Sequence, residues 1–372
     1  MLSAQDFFLR LRHAAERKDE VAAADLVGSQ ISGGRAPTGA HPLFQFIEDF
    51  CSAAITSDDA IALEFLCSAF RRFSEWSQNE PSSWLLSAQL RLHAKLRKLA
   101  ARLDARDGSL KWSKKVVEVH REVFPGYYRD KSKIAETGAV TTELLRLYLR
   151  LDQPGLCAPV VATLQQGGPF DPHSVPKAVA CTLFIFWGRL LISQERFRAA
   201  AEKLEWAADN CAPNAEKNFR RIMAYLIPCK MAMGSLPSPA LLERSGLGHY
   251  YGICKAVATG NVKLFNAELQ RHMEVFIRSG TFLLVEKLKL ICYRSLLKRV
   301  VDLSDTVASG RIDLGPIEKV WQEGEGFDRN EVLSALATLI FMGAVKGYLS
   351  YEHNKMVISK TGAFPPVLNW DW

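Results

Sequence analysis

No apolar run in this sequence is long enough to cross a bilayer. The longest, Ala178 to Gly188, is ended by Arg189, well short of the roughly 20 residues a membrane helix needs. The first residues make no secretory signal, because Asp6 and Arg10 interrupt the apolar stretch. Paired cysteines are missing as well. Cys51, Cys67, Cys157, Cys181, Cys211, Cys229, Cys254 and Cys292 are scattered through helical patterns with no Cys-x-x-Cys. That spacing argues against a disulfide framework or a zinc site and reads as buried thiols in a reducing compartment, cytosol or nucleus. Catalytic signatures are absent too. There is no Gly-x-Ser-x-Gly, no His-Glu-x-x-His, no dinucleotide fingerprint and no histidine pair at metal-ligand spacing with a carboxylate. Gly34-x4-Gly39 has phosphate-loop spacing, but Ala40 and His41 stand where that loop needs Lys and Ser or Thr. The expectation is a protein with no catalytic role, cofactor, metal, membrane contact or small-molecule substrate.

What remains is ordinary globular material. The 372 residues are 48% apolar and 23% charged, with a formal net charge of +7. That composition excludes collagen, fibre and long disorder, and the mild basic bias permits an anionic partner without demanding one. Apolar residues recur three and four apart near 2–27, 43–55, 58–78, 82–106, 109–123, 139–150, 155–166, 175–193, 195–209, 215–233, 249–259, 261–279 and 281–303. Short Gly, Pro, Asn or Asp breaks separate them, so helix follows helix without long crossovers. That order predicts an α-solenoid rather than a bundle. A tetratricopeptide-like unit supports it: Phe184-x2-Trp187-Gly188-x2-Leu191, then Ala200-x3-Leu204, then Pro213. The glycine-rich stretch Gly28 to Pro42 reads as a loop.

The pattern changes after residue 304. Pro316 to Trp321 reads as a short helix with Pro in its first turn. Asp328-x-x-Glu331 is a capping box opening a helix through Val332, Leu333, Leu336, Leu339 and Ile340, and Gly343 suits its left-handed C′ position. Val345–Ser350 and Lys355–Ser359 predict two strands joined by Tyr351-Glu352-His353-Asn354. Helix, helix, hairpin is the layout of a winged helix. The expected division is residues 1–175 as N-terminal helical repeats, 176–305 as a tetratricopeptide-like helical part, and 306–372 as winged helix and tail. The tail from Phe364 to Trp372 carries two prolines and three aromatics.

Helical repeats closed by a winged helix are the architecture of PCI-domain proteins. The stretches Ala224 to Met231, Phe276 to Leu283, Glu286 to Val300, Leu339 to Ser350, Val357 to Lys360 and Phe364-Pro365-Pro366 make the resemblance specific. Over roughly residues 180–368 the chain resembles the branch of PCI-domain-containing protein two and its signalosome-subunit-twelve-like relatives. The resemblance implies a scaffold in the nuclear transcription-and-export (TREX-type) complex that delivers mRNA to the nuclear pore. It implies a GANP-type PCI scaffold subunit as partner, a small acidic subunit shared with the proteasome lid, and RNA or DNA bound on paired winged helices. It places the protein in the nucleus, at the pore, with the cytoplasm as a second location. The alternative is an assembly subunit of a signalosome- or proteasome-lid-like complex that binds no nucleic acid.

Residue spacing points to a basic surface beside the winged helix. On the helix near 281–303, Lys287, Arg294 and Lys298 fall within about 40° of one another at 100° per residue, with Lys289 and Arg299 flanking. The rest of the circumference is largely apolar, which leaves this stripe as the exposed face. It fits phosphate contact, and equally a solvated face or pairing with an acidic subunit. The wing adds Lys346, Lys355 and Lys360, with Arg329 at the start of the second helix. A second basic stripe, Arg91, Lys95, Lys98 and Arg102, lies within a region, residues 91–133, of thirteen basic and five acidic residues. For partner docking, alternation places Tyr348 and Met356 together on the outer face of the hairpin, with Leu333, Leu336, Leu339, Ile340, Val345, Leu349, Val357 and Ile358 as core.

Overall fold

The computed structural model describes residues 2–29, 31–32, 42–80, 83–166, 168–303 and 310–367. The loop stretch carrying Gly34 and Gly39, and the tail residues Trp370 and Trp372, lie outside them. The chain divides into two compact units, Met1–Leu190 and Leu191–Trp372.

The first unit is a run of helices. A two-residue parallel pair, β1 (Leu2–Ser3) and β2 (Ile31–Ser32), brackets α1 (Ala4–Arg17) and α2 (Glu20–Gly28). There follow α3 (Pro42–Ile55), α4 (Asp59–Asn79), α5 (Leu86–Asp107), α6 (Lys111–Tyr128), α7 (Ile134–Arg150), α8 (Cys157–Leu164) and α9 (Lys177–Ser193), the last of which ends in the second unit. Neighbours in sequence pack on one another: α3 on α4, α5 on α6, α6 on α7, α7 on α8. Local chemistry sets the boundaries. Asp19 and Asp58 accept hydrogen bonds from the backbone N–H groups of Ala22 and Ala60 and cap α2 and α4. The single helical run expected over 2–27 is broken at Lys18, which adopts φ +51°. Aromatic rings fill the core, with Phe7 on Phe50 (5.3 Å), Phe46 on Phe73 (5.4 Å) and Trp76 on Trp84 (5.7 Å).

The second unit continues with α10 (Phe197–Asp209), α11 (Glu216–Ala232), α12 (Pro239–Arg244), α13 (Tyr251–Thr259), α14 (Val262–Arg271), α15 (Met273–Ser279) and α16 (Phe282–Asp302). The short α12 has no apolar periodicity of its own. Ser238 caps it by accepting from the N–H of Leu241. Helix α16 is the spine, packed against α11, α13, α14 and α15. Phe184, Trp187, Leu191, Ala200 and Leu204 of the tetratricopeptide-like unit are all buried.

The winged helix is β3 (Arg311–Asp313), α17 (Leu314–Glu325), α18 (Arg329–Phe341), β4 (Gly347–Ser350) and β5 (Lys355–Ile358). Its sheet has the order β3-β5-β4, antiparallel throughout. The capping box forms as expected: Asp328 Oδ1 accepts from Glu331 N at 2.8 Å and Glu331 Oε2 accepts from Asp328 N at 2.8 Å. Gly343 takes φ +71° just past the helix end. The fold is thus mainly α, a helical-repeat solenoid followed by a winged helix.

Strand β3 was not expected from sequence; it pairs with the free edge of β5, and the sheet shows which face Met356 takes. Met356 pairs with Ile312 on one side and Leu349 on the other, and all three turn inward; Met356 is 0% exposed. Tyr348 pairs with Val357 and turns outward, 61% exposed. The expected Tyr348–Met356 docking pair therefore does not exist. The physical reason is the period of two. Val357 and Ile358 are adjacent on an extended strand and cannot both point into the core.

Candidate nucleic-acid and partner interface

Nine cations were expected to form the basic surface, and the structure divides them. Lys287 Nζ meets Glu195 Oε1 at 2.5 Å. Lys289 donates to Glu325 Oε2 at 2.7 Å, a carboxylate with only 6% of its side chain exposed. Arg329 donates to Asn354 Oδ1 at 2.7 Å, lies 3.4 Å from Glu318 and covers the Tyr351 ring. Lys355 lies 3.7 Å from Asp313 across the sheet. Arg294 donates to the carbonyls of Phe364 at 3.1 Å and Pro365 at 2.8 Å, and burial pulls its pKa below the usual guanidinium value. These five are structural first. Each holds two elements of the unit together.

The other four are different. Lys298 and Arg299 sit near the C-terminal end of α16, exposed, with no ion pair among the described residues. Lys346 and Lys360 flank the open end of the hairpin, also exposed and unpaired among the described residues. The backbone brings these two together, because Ser359 N donates to Lys346 O at 2.8 Å beside the Gly347–Ile358 pair. Three ammonium groups and one guanidinium with no carboxylate partner among the described residues are the groups able to take phosphate oxygens without breaking a native ion pair.

The joint between α16 and the winged helix fixes where this surface sits. Glu325, at the end of α17, accepts from Lys289 of α16 and from Asn266 of α14, each at 2.7 Å. Beside it Tyr293 packs on Trp321 (5.2 Å) and Phe327 (6.0 Å). Burial, and then the Glu325 carboxylate, push the Tyr293 phenol up. Its hydroxyl therefore stays protonated at neutral pH.

The second basic stripe is consumed inside the first unit. Arg91 donates to Asp25 at 2.7 Å and Arg102 to Asp59 at 2.8 Å, while Lys95 lies over the Phe50 ring at 4.7 Å. Only Lys98 of that stripe stays exposed without an ion pair among the described residues.

Three large aromatic groups on the winged helix face solvent among the described residues: Phe341, 89% exposed, Tyr351, 69%, and Tyr348, 61%. Phe341 was missed from sequence because it follows Leu339 and Ile340. The wheel carries the signal: Val332, Leu336 and Leu339 are buried, and Phe341 lies about 200° round from Leu339. Aromatic residues are enriched at protein interfaces.

This geometry can be set beside known proteins. No family model matches the chain. A PCI domain-containing protein 2 homolog of Dictyostelium discoideum is 30% identical over 320 residues, covering 82% of this chain and 72% of that protein. The chain belongs to the PCI-domain family. PCI domain-containing protein 2 of Danio rerio is 35% identical over 229 residues, 60% of this chain and 56% of that protein. The Protein CSN12 homolog of Gibberella zeae is 28% identical over 241 residues, 60% of this chain and 53% of that protein. The chain thus falls in the PCI branch of these two kinds of relative. In the last two comparisons it spans little more than half of the relative's length.

Proposed function

We propose that the chain is a non-enzymatic PCI scaffold subunit of a multi-subunit complex, docked to a second PCI subunit and offering a basic surface to RNA or DNA. The observation that carries the nucleic-acid part is the set of exposed, unpaired cations Lys298, Arg299, Lys346 and Lys360. The finer reading is a TREX-type complex at the nuclear pore, with a GANP-type PCI scaffold and a small acidic subunit as partners; membership of this PCI branch supports it. Anisotropy of a labelled single-stranded RNA, titrated at several salt concentrations, tests the surface. Four phosphate contacts give a slope of log K against log[salt] of about −3. Replacing the four cations with Glu should flatten that slope while leaving the five structural cations paired. A flat response in the unaltered protein removes the nucleic-acid reading. What would remain is an assembly subunit of a signalosome- or lid-like complex, a reading favoured by the exposed Phe341 and Tyr348.

A further inference from the structure

The segment Ala363 to Val367 leaves the hairpin and is gripped at three places by three different elements. Lys346 N donates to Ala363 O at 2.8 Å, which continues the hydrogen bonding past the end of the hairpin. Arg294, on α16, donates from one terminal nitrogen, Nη2, to two successive carbonyls, Phe364 O at 3.1 Å and Pro365 O at 2.8 Å, with the Phe364 ring 5.8 Å from its guanidinium carbon. Val367 is buried against Gly234, in the turn that ends α11. Gly234 has φ +83°, and a Cβ there would stand 2.9 Å from the Val367 Cβ. Only glycine admits the segment at that point.

Two prolines hold the middle of the segment extended, so little backbone freedom is lost on docking. An aromatic, two prolines and an aliphatic anchor, read by a half-buried cation through main-chain carbonyls, is peptide recognition in chemical terms. We propose that the groove over α16 is a peptide-binding site for an aromatic-Pro-Pro-Val segment, and that this chain fills it with its own residues 363–367. The bound segment ties the winged helix to α11 and α16, and it withdraws Arg294 from the anion-binding surface.

The test separates the ligand from the groove. A fluorescein-labelled peptide of residues 361–372 is titrated with a chain that ends at Gly362. Saturable binding is expected. Arg294→Ala in that chain should weaken it about tenfold to a hundredfold, the range for hydrogen bonds made by a charged donor. A peptide carrying Val367→Asp should not bind. No saturable binding by the folded, shortened chain overturns the proposal, and so does binding indifferent to Arg294→Ala. If the shortened chain fails to fold, the full chain decides. With Phe364 replaced by 4-fluorophenylalanine, the fluorine resonance should sit away from its position in the free peptide and return there in Arg294→Ala. A free-peptide resonance in the otherwise unaltered chain overturns the proposal.

Discussion

The most quantitative test of the fold concerns two imidazoles in the first unit. His93 of α5 and His120 of α6 are each 1% exposed, with ring centroids 4.9 Å apart, and both pack on Phe70 of α4. The charged groups around them are Arg97 of α5 and Glu143 and Arg146 of α7. Burial lowers both pKa values, and for His93 the second histidine and the two guanidiniums lower it further. Both rings therefore bind a proton less readily in the fold than in the unfolded chain, where they titrate near about 6.5; at His120 the Val116 carbonyl and Glu143 partly oppose the lowering. Below that pH the unfolded chain takes up protons that the fold refuses, so stability falls as pH falls. From about pH 7.5 to about pH 5.5 each histidine removes at most about one pKa unit's equivalent, and the pair at most about 3 kcal/mol. His93→Leu should remove about half of that pH dependence. It should also raise stability at pH 7.5 by about 1–2 kcal/mol, because neither His93 nitrogen has a hydrogen-bond partner. Urea-unfolding midpoints read by pulsed hydrogen exchange on peptides from α5 and α6 report this unit alone. Equal pH slopes for the two proteins would refute the reasoning.

Three further outcomes follow from named contacts. Glu143→Ala removes the carboxylate that Arg97 and Arg146 now meet at 2.6 and 2.9 Å; the expected loss is about 2–4 kcal/mol in a denaturant titration. Gly260→Ala should lower the thermal midpoint by the equivalent of about 2 kcal/mol or more, because Gly260 has φ +66° and a Cβ there would lie 2.4 Å from Leu296 N. Phe341→Asp with Tyr348→Asp should abolish co-purification of a PCI partner with helical content unchanged in circular dichroism. Normal assembly of that variant would move the docking surface off the winged helix.

Much of the architecture was legible because it rests on local rules. The helices follow from apolar residues three and four apart. The Asp328–Glu331 box and Gly343 marked both ends of α18, and the structure places them there. Most of the missing pieces depend on residues far apart in the chain. Strand β3 is three residues long and exists because β5 offers it an edge, so no alternation within Arg311–Asp313 could announce it. Met356 was misplaced for a local reason, because the adjacent Val357 and Ile358 were both assigned to the core. The basic stripe on α16 failed for a long-range one. Periodicity placed Lys287, Arg294 and Lys298 on one face, but only tertiary structure brings Glu195 to the first and the Phe364 and Pro365 carbonyls to the second.

The joint at Glu325 has a mechanical meaning. One nearly sealed carboxylate holds two helices through Lys289 and Asn266, and the rings of Tyr293, Trp321 and Phe327 close the contact beside it. Such a joint resists twist as well as separation, since the two hydrogen bonds approach different oxygens from different helices. A load applied to the wing by a bound partner is passed directly to α14 and α16. The winged helix and the spine helix α16 are therefore coupled through one carboxylate and one cluster of rings.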